Sequence, residues 1–300
     1  MARTILTIND FYTGASTLRR HFEGRFKAPR DPDGGRFVWD WWHVPNQYTL
    51  LRTPAYEFFP KEIYDPLHLR LIDWSRRNLG CHDISPPWMS CYVEGCSQEL
   101  HCDMPHGPFA YVYSLTQWKT RAFRGGETFL LRDEVMELWK GLPSRPQYES
   151  KELTQEIPPL FNRLTVFDPR VPHGVRRVSG ASDVLDGRLV VHGWFTEPRP
   201  WIDGPVPQKS LKNAMEGLME QLHSVMESGL DVSGMLTVQV HVSAAGAVTR
   251  TVFSADTMRG CTDQESTQLK KLIAAYFRSG RFGKQKAPST LIIPLLFERA

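Results

Sequence analysis

Two residues with metal-binding side chains, His101 and Asp103, stand two positions apart in the segment ELHCDMP. In an extended strand, residues i and i+2 point to the same side, so the imidazole and the carboxylate can reach one metal ion while Cys102 points away. The segment FDPRVPHGV offers a third ligand, His173, which we expect on a neighbouring strand. The pattern therefore predicts a site with two histidines and one carboxylate.

This ligand set predicts a particular chemistry. Two histidines and one carboxylate on one face of a metal ion leave open coordination positions, which is the geometry of non-haem iron(II) oxygenases. The chemistry needs those positions for a bidentate 2-oxo acid and for O₂. We expect seven other histidines to be ordinary surface or core residues: His43, His68, His82, His106, His192, His223 and His241.

Composition narrows the class of protein. The chain has 300 residues, 41% of them hydrophobic, and a formal net charge of +3 with scattered basic residues. The scattered basic residues argue against nucleic-acid binding, because nucleic-acid-binding proteins carry a clustered basic stripe. The five cysteines form no CxxC, and Cys91, Cys96 and His101 fit no standard zinc spacing. Reduced thiols, no secretory signal and no long apolar run predict a cytoplasmic protein without a membrane span.

The elements that must position these residues follow from the hydrophobic pattern. Between 88 and 195, short apolar runs alternate with turns, which favours a mainly β jelly roll. A strand at 4–8, helices at 14–26 and 64–79, and a helical patch at 132–140 support it. Four prolines within 198–208 predict a linker. Beyond them, a helix at 209–227, two strands, a helix at 263–278 and a last strand predict a small α+β domain.

Four motifs in order resemble the prolyl-hydroxylase-like branch of the 2-oxoglutarate and iron(II)-dependent dioxygenases. They cover about 90–195: SCYVEGCSQELHCDMPHGPFAYVYSLTQW, RGGETFLL, FNRLTVFDPRVPHGV and GRLVVHGWF. The resemblance implies a double-stranded β-helix, that is, a jelly roll, with an oxygenase domain over 1–199 and a core at about 88–196. It also implies the cofactors iron(II), the co-substrate 2-oxoglutarate and O₂, with ascorbate as a further candidate.

The resemblance assigns individual roles. His101, Asp103 and His173 would bind iron, and no other catalytic residue is implied. Arg188 would pair with the distal carboxylate of 2-oxoglutarate, because a guanidinium matches a carboxylate bidentately and keeps its charge when buried. Tyr92 matches a tyrosine that lines the co-substrate pocket; its alternative is a core tyrosine.

Three positions depart from relatives of this branch. Ser114 stands where some members have a second co-substrate tyrosine, and Val190 stands where some have a serine that touches the carboxylate. Trp194 stands where AlkB-like nucleic-acid demethylases have a second arginine, which counts against nucleic-acid repair. The acidic ligand Asp103 is present, so we expect hydroxylation rather than halogenation.

The C-terminal segment, over about 230–299, is similar to the small domain at the C-terminus of TonB-like proteins, which makes protein contacts. We therefore expect an accessory domain over 208–300 that binds a protein partner, with a structural appendage as the alternative. We also expect an oxygenase domain that folds without it; the alternative is that the helix at 209–227 packs on the jelly roll, so that a shortened chain would aggregate. The expected substrate is a peptide or protein side chain, with a free amino acid or a natural product as alternatives. The aromatic segment 37–48 and Arg176-Arg177 are candidates for the pocket entrance. A catalytically inactive jelly roll that binds proteins is the alternative function.

Overall fold

A computed structural model describes residues 5–27, 39–103, 106–136, 152–227 and 229–298. Their strands are β1 Ile5–Ile8, β2 Asp40–Val44, β3 Tyr48–Pro54, β4 Cys81–Ile84, β5 Trp88–Tyr92, β6 Ser97–His101, β7 Phe109–Ser114, β8 Thr128–Leu131, β9 Thr154–Ile157, β10 Arg163–Phe167, β11 His173–Val175, β12 Arg188–Pro198, β13 Trp201–Asp203, β14 Gly234–Val242, β15 Val248–Asp256 and β16 Ser289–Phe297. Their helices are α1 Ala15–Lys27, α2 Ala55–Phe58, α3 Lys61–Asn78, α4 Asp133–Met136, α5 Gln208–Glu227 and α6 Asp263–Ser279.

Strands β1 to β12 form one curled antiparallel sheet, the predicted jelly roll. Its main path runs β1-β10-β7-β12-β5-β3-β6-β11-β8-β9, with β2 paired to β3 and β4 paired to β12. The central strand β12 is largely buried because both of its faces are covered. Leu189, Val191 and Phe195 join the main core on one face, while Arg188 and Val190 line a cavity on the other. This alternation follows from the two-residue period of a strand.

The helices α1 and α3 cover the outer face of this sheet. Both have an apolar stripe at helical spacing, with Leu18 and Phe22 on α1 and Leu67 and Leu71 on α3 buried in the main core. The sheet is thus closed on the outside and leaves its other face free to line the cavity.

A second sheet, in the order β13-β16-β14-β15, packs with α5 and α6 around a separate core. The helix α6 begins with a capping box in which Thr262 and Glu265 satisfy each other's backbone amides. The stretch predicted as a linker contains β13, which pairs with β16. A strand of the second sheet therefore lies between the two predicted domain ranges.

The second sheet docks on the C-terminal end of α3. The carbonyls of residues 77–79, which have no partner within the helix, accept hydrogen bonds from the side chains of Gln239, Ser254 and Thr237 at 2.7–2.8 Å. Met235 of β14 is buried in the core of the large sheet. The two sheets therefore share both polar and apolar contacts.

The predicted helices are found within three residues of their expected ends, and the main strands lie where expected. The helical patch at 132–140 is described only as far as α4. The residues 28–35 are rich in Pro and Gly, which predicts a loop, and they lie outside the described residues. The short strands β4, β9 and β13 had no clear periodic signal. Among the described helices, none has the length and apolarity that a membrane crossing requires.

Candidate metal centre and its cavity

The three predicted ligands come together on two adjacent strands. His101 ends β6 and His173 begins β11, and the two residues face each other in the antiparallel register. Asp103 follows β6 and reaches between them, with Oδ1 3.4 Å from His101 Nε2 and Oδ2 3.3 Å from His173 Nε2. One ligand atom from each residue lies within 4.8 Å of the others, which places all three around a single point.

Backbone contacts orient both imidazoles towards that point. His101 Nδ1 lies 2.9 Å from the carbonyl oxygen of Glu99, and His173 Nδ1 lies 2.8 Å from that of Val171. A carbonyl can only accept, so each Nδ1 carries the proton and each Nε2 offers a lone pair in the neutral ring. Two such lone pairs converge with a carboxylate, an arrangement that suits a divalent cation held by nitrogen and oxygen.

The electrostatics favour a carboxylate at this point. Burial alone would raise the pKa of Asp103, but the hydrogen bonds and charges of His101 and His173 hold it far below its usual range. Burial alone would lower the pKa of His101, but its hydrogen bond and charge interaction with Asp103 outweigh that effect and raise it. Asp103 is therefore ionised at neutral pH and available as an anionic ligand.

Arg188 lies at the start of β12, inside the same cavity and only 1% exposed. Its Nη2 donates to Thr128 Oγ1 at 3.0 Å, whereas the buried Nε and Nη1 have no partner. Burial lowers the pKa of Arg188, but a guanidinium remains charged at neutral pH. Two unpaired donors on a buried cation are costly unless an anion binds them, and an edge of the guanidinium that includes Nη1 or Nε is complementary to a carboxylate.

Tyr92 packs beneath Arg188 and links it to the metal centre. The guanidinium carbon of Arg188 lies 4.6 Å from the centre of the Tyr92 ring. The Tyr92 hydroxyl donates to Gln98 Oε1 at 3.2 Å, and Gln98 Nε2 lies 3.1 Å from His101 Nε2. Burial raises the pKa of Tyr92, so the phenol stays protonated and can donate.

The cavity that holds these residues has a volume of about 630 Å³. This volume is within the range of small-molecule and side-chain pockets. His106 and His192, expected to be ordinary surface or core residues, both line it. The sequence did not indicate this position, because it depends on which strands pair in the folded sheet.

Of the two segments expected at the pocket entrance, the aromatic segment contributes described residues to the cavity lining and the arginine pair does not. From the aromatic segment, Trp42 and Tyr48 line the cavity, whereas Trp39 packs on the outer core. Neither Arg176 nor Arg177 is among the cavity-lining residues that the structure describes. Arg176 instead pairs with Glu156 at 2.9 Å, a structural role.

The departures from the family pattern have clear structural positions. Ser114 is buried and donates to the carbonyl oxygen of Pro159 at 2.8 Å, so its hydroxyl is engaged in the fold. Val190 lines the cavity next to Arg188 and adds an apolar wall. The ring of Trp194 stacks near His106, with 4.5 Å between ring centres.

Several cavity residues were missed by sequence reasoning. Gln98 and Thr128 contact His101 and Arg188, and Arg52 lines the cavity wall. The sequence could have indicated Gln98 as a neighbour of the site, because it precedes His101 on the same strand. The other two become neighbours of the site only through strand pairing, which the sequence alone does not specify.

Comparison with known proteins agrees with this geometry. Residues 87–196 match the model of the 2OG-Fe(II) oxygenase superfamily, and this range contains all three predicted ligands, Tyr92 and Arg188. No match was found among curated protein sequences.

Three of the solved structures to which this chain is similar are the following. A prolyl-4-hydroxylase from Pseudomonas putida is 14% identical, with 65% of this chain and 93% of that chain covered and a TM-score of 0.44. HygX from Streptomyces hygroscopicus, solved with nickel, 2-oxoglutarate and hygromycin B, is 12% identical, with coverages of 64% and 82% and a TM-score of 0.44. AviO1 from Streptomyces viridochromogenes Tue57 is 14% identical, with coverages of 69% and 94% and a TM-score of 0.45. Such low values say nothing of the substrate of this chain.

The chain therefore carries a 2OG-Fe(II) oxygenase domain over residues 87–196. It is a 2-oxoglutarate-dependent dioxygenase whose cofactors are iron(II), 2-oxoglutarate and O₂, and the converging His-Asp-His group fits such a metal. These expectations from the sequence are confirmed at the level of enzyme class.

Proposed function

We propose that this enzyme hydroxylates a C–H bond of a substrate that enters the cavity, with a peptide or protein side chain as the favoured substrate. A free amino acid or a natural product is the alternative. The observation that supports the proposal is the convergence of a complete ligand set and an unpaired buried arginine on one cavity. A protein that only binds a partner has no need of both.

In this proposal, His101, Asp103 and His173 hold the iron. The bound metal and 2-oxoglutarate supply the oxidising chemistry, in which O₂ is consumed, 2-oxoglutarate becomes succinate and CO₂, and the substrate gains one oxygen atom. The protein's part is to fix the two imidazoles through the carbonyls of Glu99 and Val171. That orientation would direct both Nε2 atoms, with the Asp103 carboxylate, at a bound metal.

Arg188 and Tyr92 are proposed to bind the co-substrate. The free Nη1 or Nε of Arg188 would donate to the distal carboxylate, and Tyr92 packs against the guanidinium plane. Val190 replaces a hydroxyl with an apolar side chain, so Arg188 carries more of the anchoring, and water is excluded from that wall.

The C-terminal unit, residues 208–300 in the sequence prediction, is proposed to be similar to the TonB C-terminal domain and to bind a protein. Its helix α5 supports this role, because Met215 and Met219 lie along a surface groove of that helix. Flexible methionine side chains are common on protein-binding surfaces.

The test is iron-dependent succinate release by the full chain, combined with intact-mass analysis of a peptide library. Wild type is expected to release succinate, and a substrate is expected to gain the mass of one oxygen atom. Asp103→Ala should abolish both, because it removes the anionic ligand. Cys102→Ser is the matched control, since its Sγ points to the carbonyl oxygen of Arg170 at 3.4 Å and not to the metal point. Wild type without iron-dependent succinate would instead favour an inactive binding module.

A further inference from the structure

A second arginine, Arg52, lies in the wall of the same cavity. In the register of the sheet, Arg52 of β3 faces Ser90 of β5, which in turn faces Val190 of β12. Tyr92 and Arg188 form the next inward-facing pair, two residues along these strands. Two residues of a strand span about 7 Å, so Arg52 sits one layer above the proposed co-substrate anchor.

Two tryptophans hold the Arg52 guanidinium in place. Its central carbon lies 3.0 Å from the centre of the Trp42 ring and 3.9 Å from that of Trp88, and both rings line the cavity. Such cation–π contacts fix the plane of an arginine without using its hydrogen-bond donors. The group is therefore oriented while its donors remain free for another partner.

Within the described part of the chain, no carboxylate forms an ion pair with Arg52, and its buried Nε has no hydrogen-bond partner. Asp40, its cross-strand neighbour on β2, interacts with its charge but is exposed and lies beyond ion-pair distance. Of the acids that line the cavity, Asp103 faces the two histidines and Glu99 accepts from Ser97 at 3.4 Å. An oriented, partly buried cation with unused donors is a ready anion site.

Charge balance separates this site from the co-substrate site. A divalent metal and the carboxylate of Asp103, together with a dianionic co-substrate and Arg188, bring the lower layer of the cavity to neutrality. Among the described residues, Glu99 is the other acid of the cavity lining and accepts from Ser97, so Arg52 is left in the layer above as a cation without an ion-pair partner. A neutral substrate would leave that charge unpaired as the cavity closes around it, whereas a substrate with one acidic group would neutralise it.

We propose that Arg52, held between Trp42 and Trp88, binds an acidic group of the substrate, either a carboxylate or a phosphate. This inference rests on the proposed function, because it assigns the substrate class of the same cavity. It makes Arg52 a specificity-determining residue that holds the substrate in the layer of the cavity above Arg188. Small acids and residues with acidic side chains are thereby favoured over neutral side chains.

The experiment measures binding to the full chain loaded with zinc(II) and saturated with 2-oxoglutarate, so that no turnover occurs. The probes are N-acetyl amino acids and phosphomonoesters, each paired with its neutral carboxamide or alcohol. Tryptophan fluorescence is a suitable signal because Trp42 and Trp88 flank the site. Wild type should bind the best acidic probes about ten- to a hundredfold more tightly than their neutral partners, the range for charge-assisted hydrogen bonds.

Two variants of Arg52 test whether this residue causes the preference for acidic probes. Arg52→Gln should abolish it, and Arg52→Lys should retain part of it, because an ammonium keeps the charge but loses the planar fork. The affinity for 2-oxoglutarate should stay within about twofold in both variants. The control is Arg199→Gln, since that side chain is 62% exposed and remote from the cavity lining. Any variant is compared only after its melting curve shows a folded protein, and Arg52→Lys serves if Arg52→Gln does not fold.

Three results would overturn the proposal. One is that no probe pair shows a preference for the acidic member in wild type. Another is a preference that is as large in Arg52→Gln as in wild type or, if that variant does not fold, as large in Arg52→Lys as in wild type. The third is a loss of 2-oxoglutarate affinity in Arg52→Gln as large as in Arg188→Gln, which would assign Arg52 to the co-substrate. Because binding is measured without turnover, failure here is distinct from failure of the hydroxylation assay.

Discussion

Arg259 of the C-terminal part donates from Nε to the carboxylate of Asp168 at 3.3 Å, and Asp168 is only 1% exposed. Asp168 opens the loop that leads to His173. In the same loop, the carbonyl oxygen of Pro169 accepts from the amide of Asp103 at 2.9 Å. The second sheet therefore helps to fix the loop that supports two of the three proposed iron ligands.

We expect Arg259→Gln to weaken iron binding as well as stability. The substitution leaves the buried Asp168 with Arg170 alone as its charged partner and should lower the free energy of unfolding by about 1–3 kcal/mol. Iron affinity should fall by about tenfold, the lower end for groups that support metal ligands. Arg250→Gln on exposed β15 is the control. Equal iron affinity in both variants would show that the loop is fixed without Arg259.

Arg188→Gln should weaken 2-oxoglutarate binding by about ten- to a hundredfold while iron binding stays near the wild-type value. The physical reason is the loss of a charged, bidentate partner in a buried position. Arg188→Lys should recover only part of the affinity, because the ammonium lacks the fork. Calorimetric titration of the zinc-loaded protein with 2-oxoglutarate measures the affinity of both variants. An unchanged dissociation constant in Arg188→Gln would remove Arg188 from the co-substrate site.

His192 gives a prediction for pH. Burial, followed by the charge of Arg188, lowers the pKa of His192 to about 4, against an ordinary value of about 6.5. As the pH falls, the unfolded state binds a proton at His192 before the folded state does. The contribution of the neutral His192 to stability is therefore present above pH 6.5 and is lost as the pH falls towards 4. Relative to His192→Gln, the metal-free wild type should lose at most about 3 kcal/mol over that interval. Urea unfolding at a series of pH values measures the free energy of unfolding of both proteins. Parallel pH profiles of wild type and His192→Gln would contradict the prediction.

The contacts between the two sheets revise the expectation that the oxygenase domain folds without the C-terminal part. A chain ending near Asp203 loses the side chains of Gln239, Ser254 and Thr237 that satisfy the last carbonyls of α3. It also uncovers the core surface against which Met235 packs. We now expect the full chain to melt in one transition and the shortened chain to aggregate. Two separate transitions, or a stable shortened chain with iron-dependent decarboxylation, would restore independence.

The sequence predicted the jelly roll and the ligand set because both follow from local rules. The two-residue spacing correctly brought His101 and Asp103 to one point, although β6 ends at His101 and Asp103 follows it. Alternating apolar residues identify the main strands. The role of Arg188 came from the family motif rather than from any local pattern. What was missed depends on pairing between distant segments.

Arg52 illustrates that limit. Its strand contains Leu50, Arg52 and Pro54 on one face, a pattern equally typical of a surface edge. Only the pairing of β3 with β5 brings Arg52 to Trp88, and only the β2–β3 hairpin brings it to Trp42. The contact between Arg259 and Asp168 likewise required the packing of two sheets, which the proline-rich stretch had suggested were separate.

The central claim is that His101, Asp103 and His173 bind iron(II) together with 2-oxoglutarate. The most direct measurement is an anaerobic titration of the full chain with iron(II) and then 2-oxoglutarate, followed by visible absorption. We predict a charge-transfer band that needs both additions, saturates at one iron per chain and is absent in His101→Ala and Asp103→Ala. A wild-type chain that shows no such band, or a band that persists in both variants, would contradict the assignment.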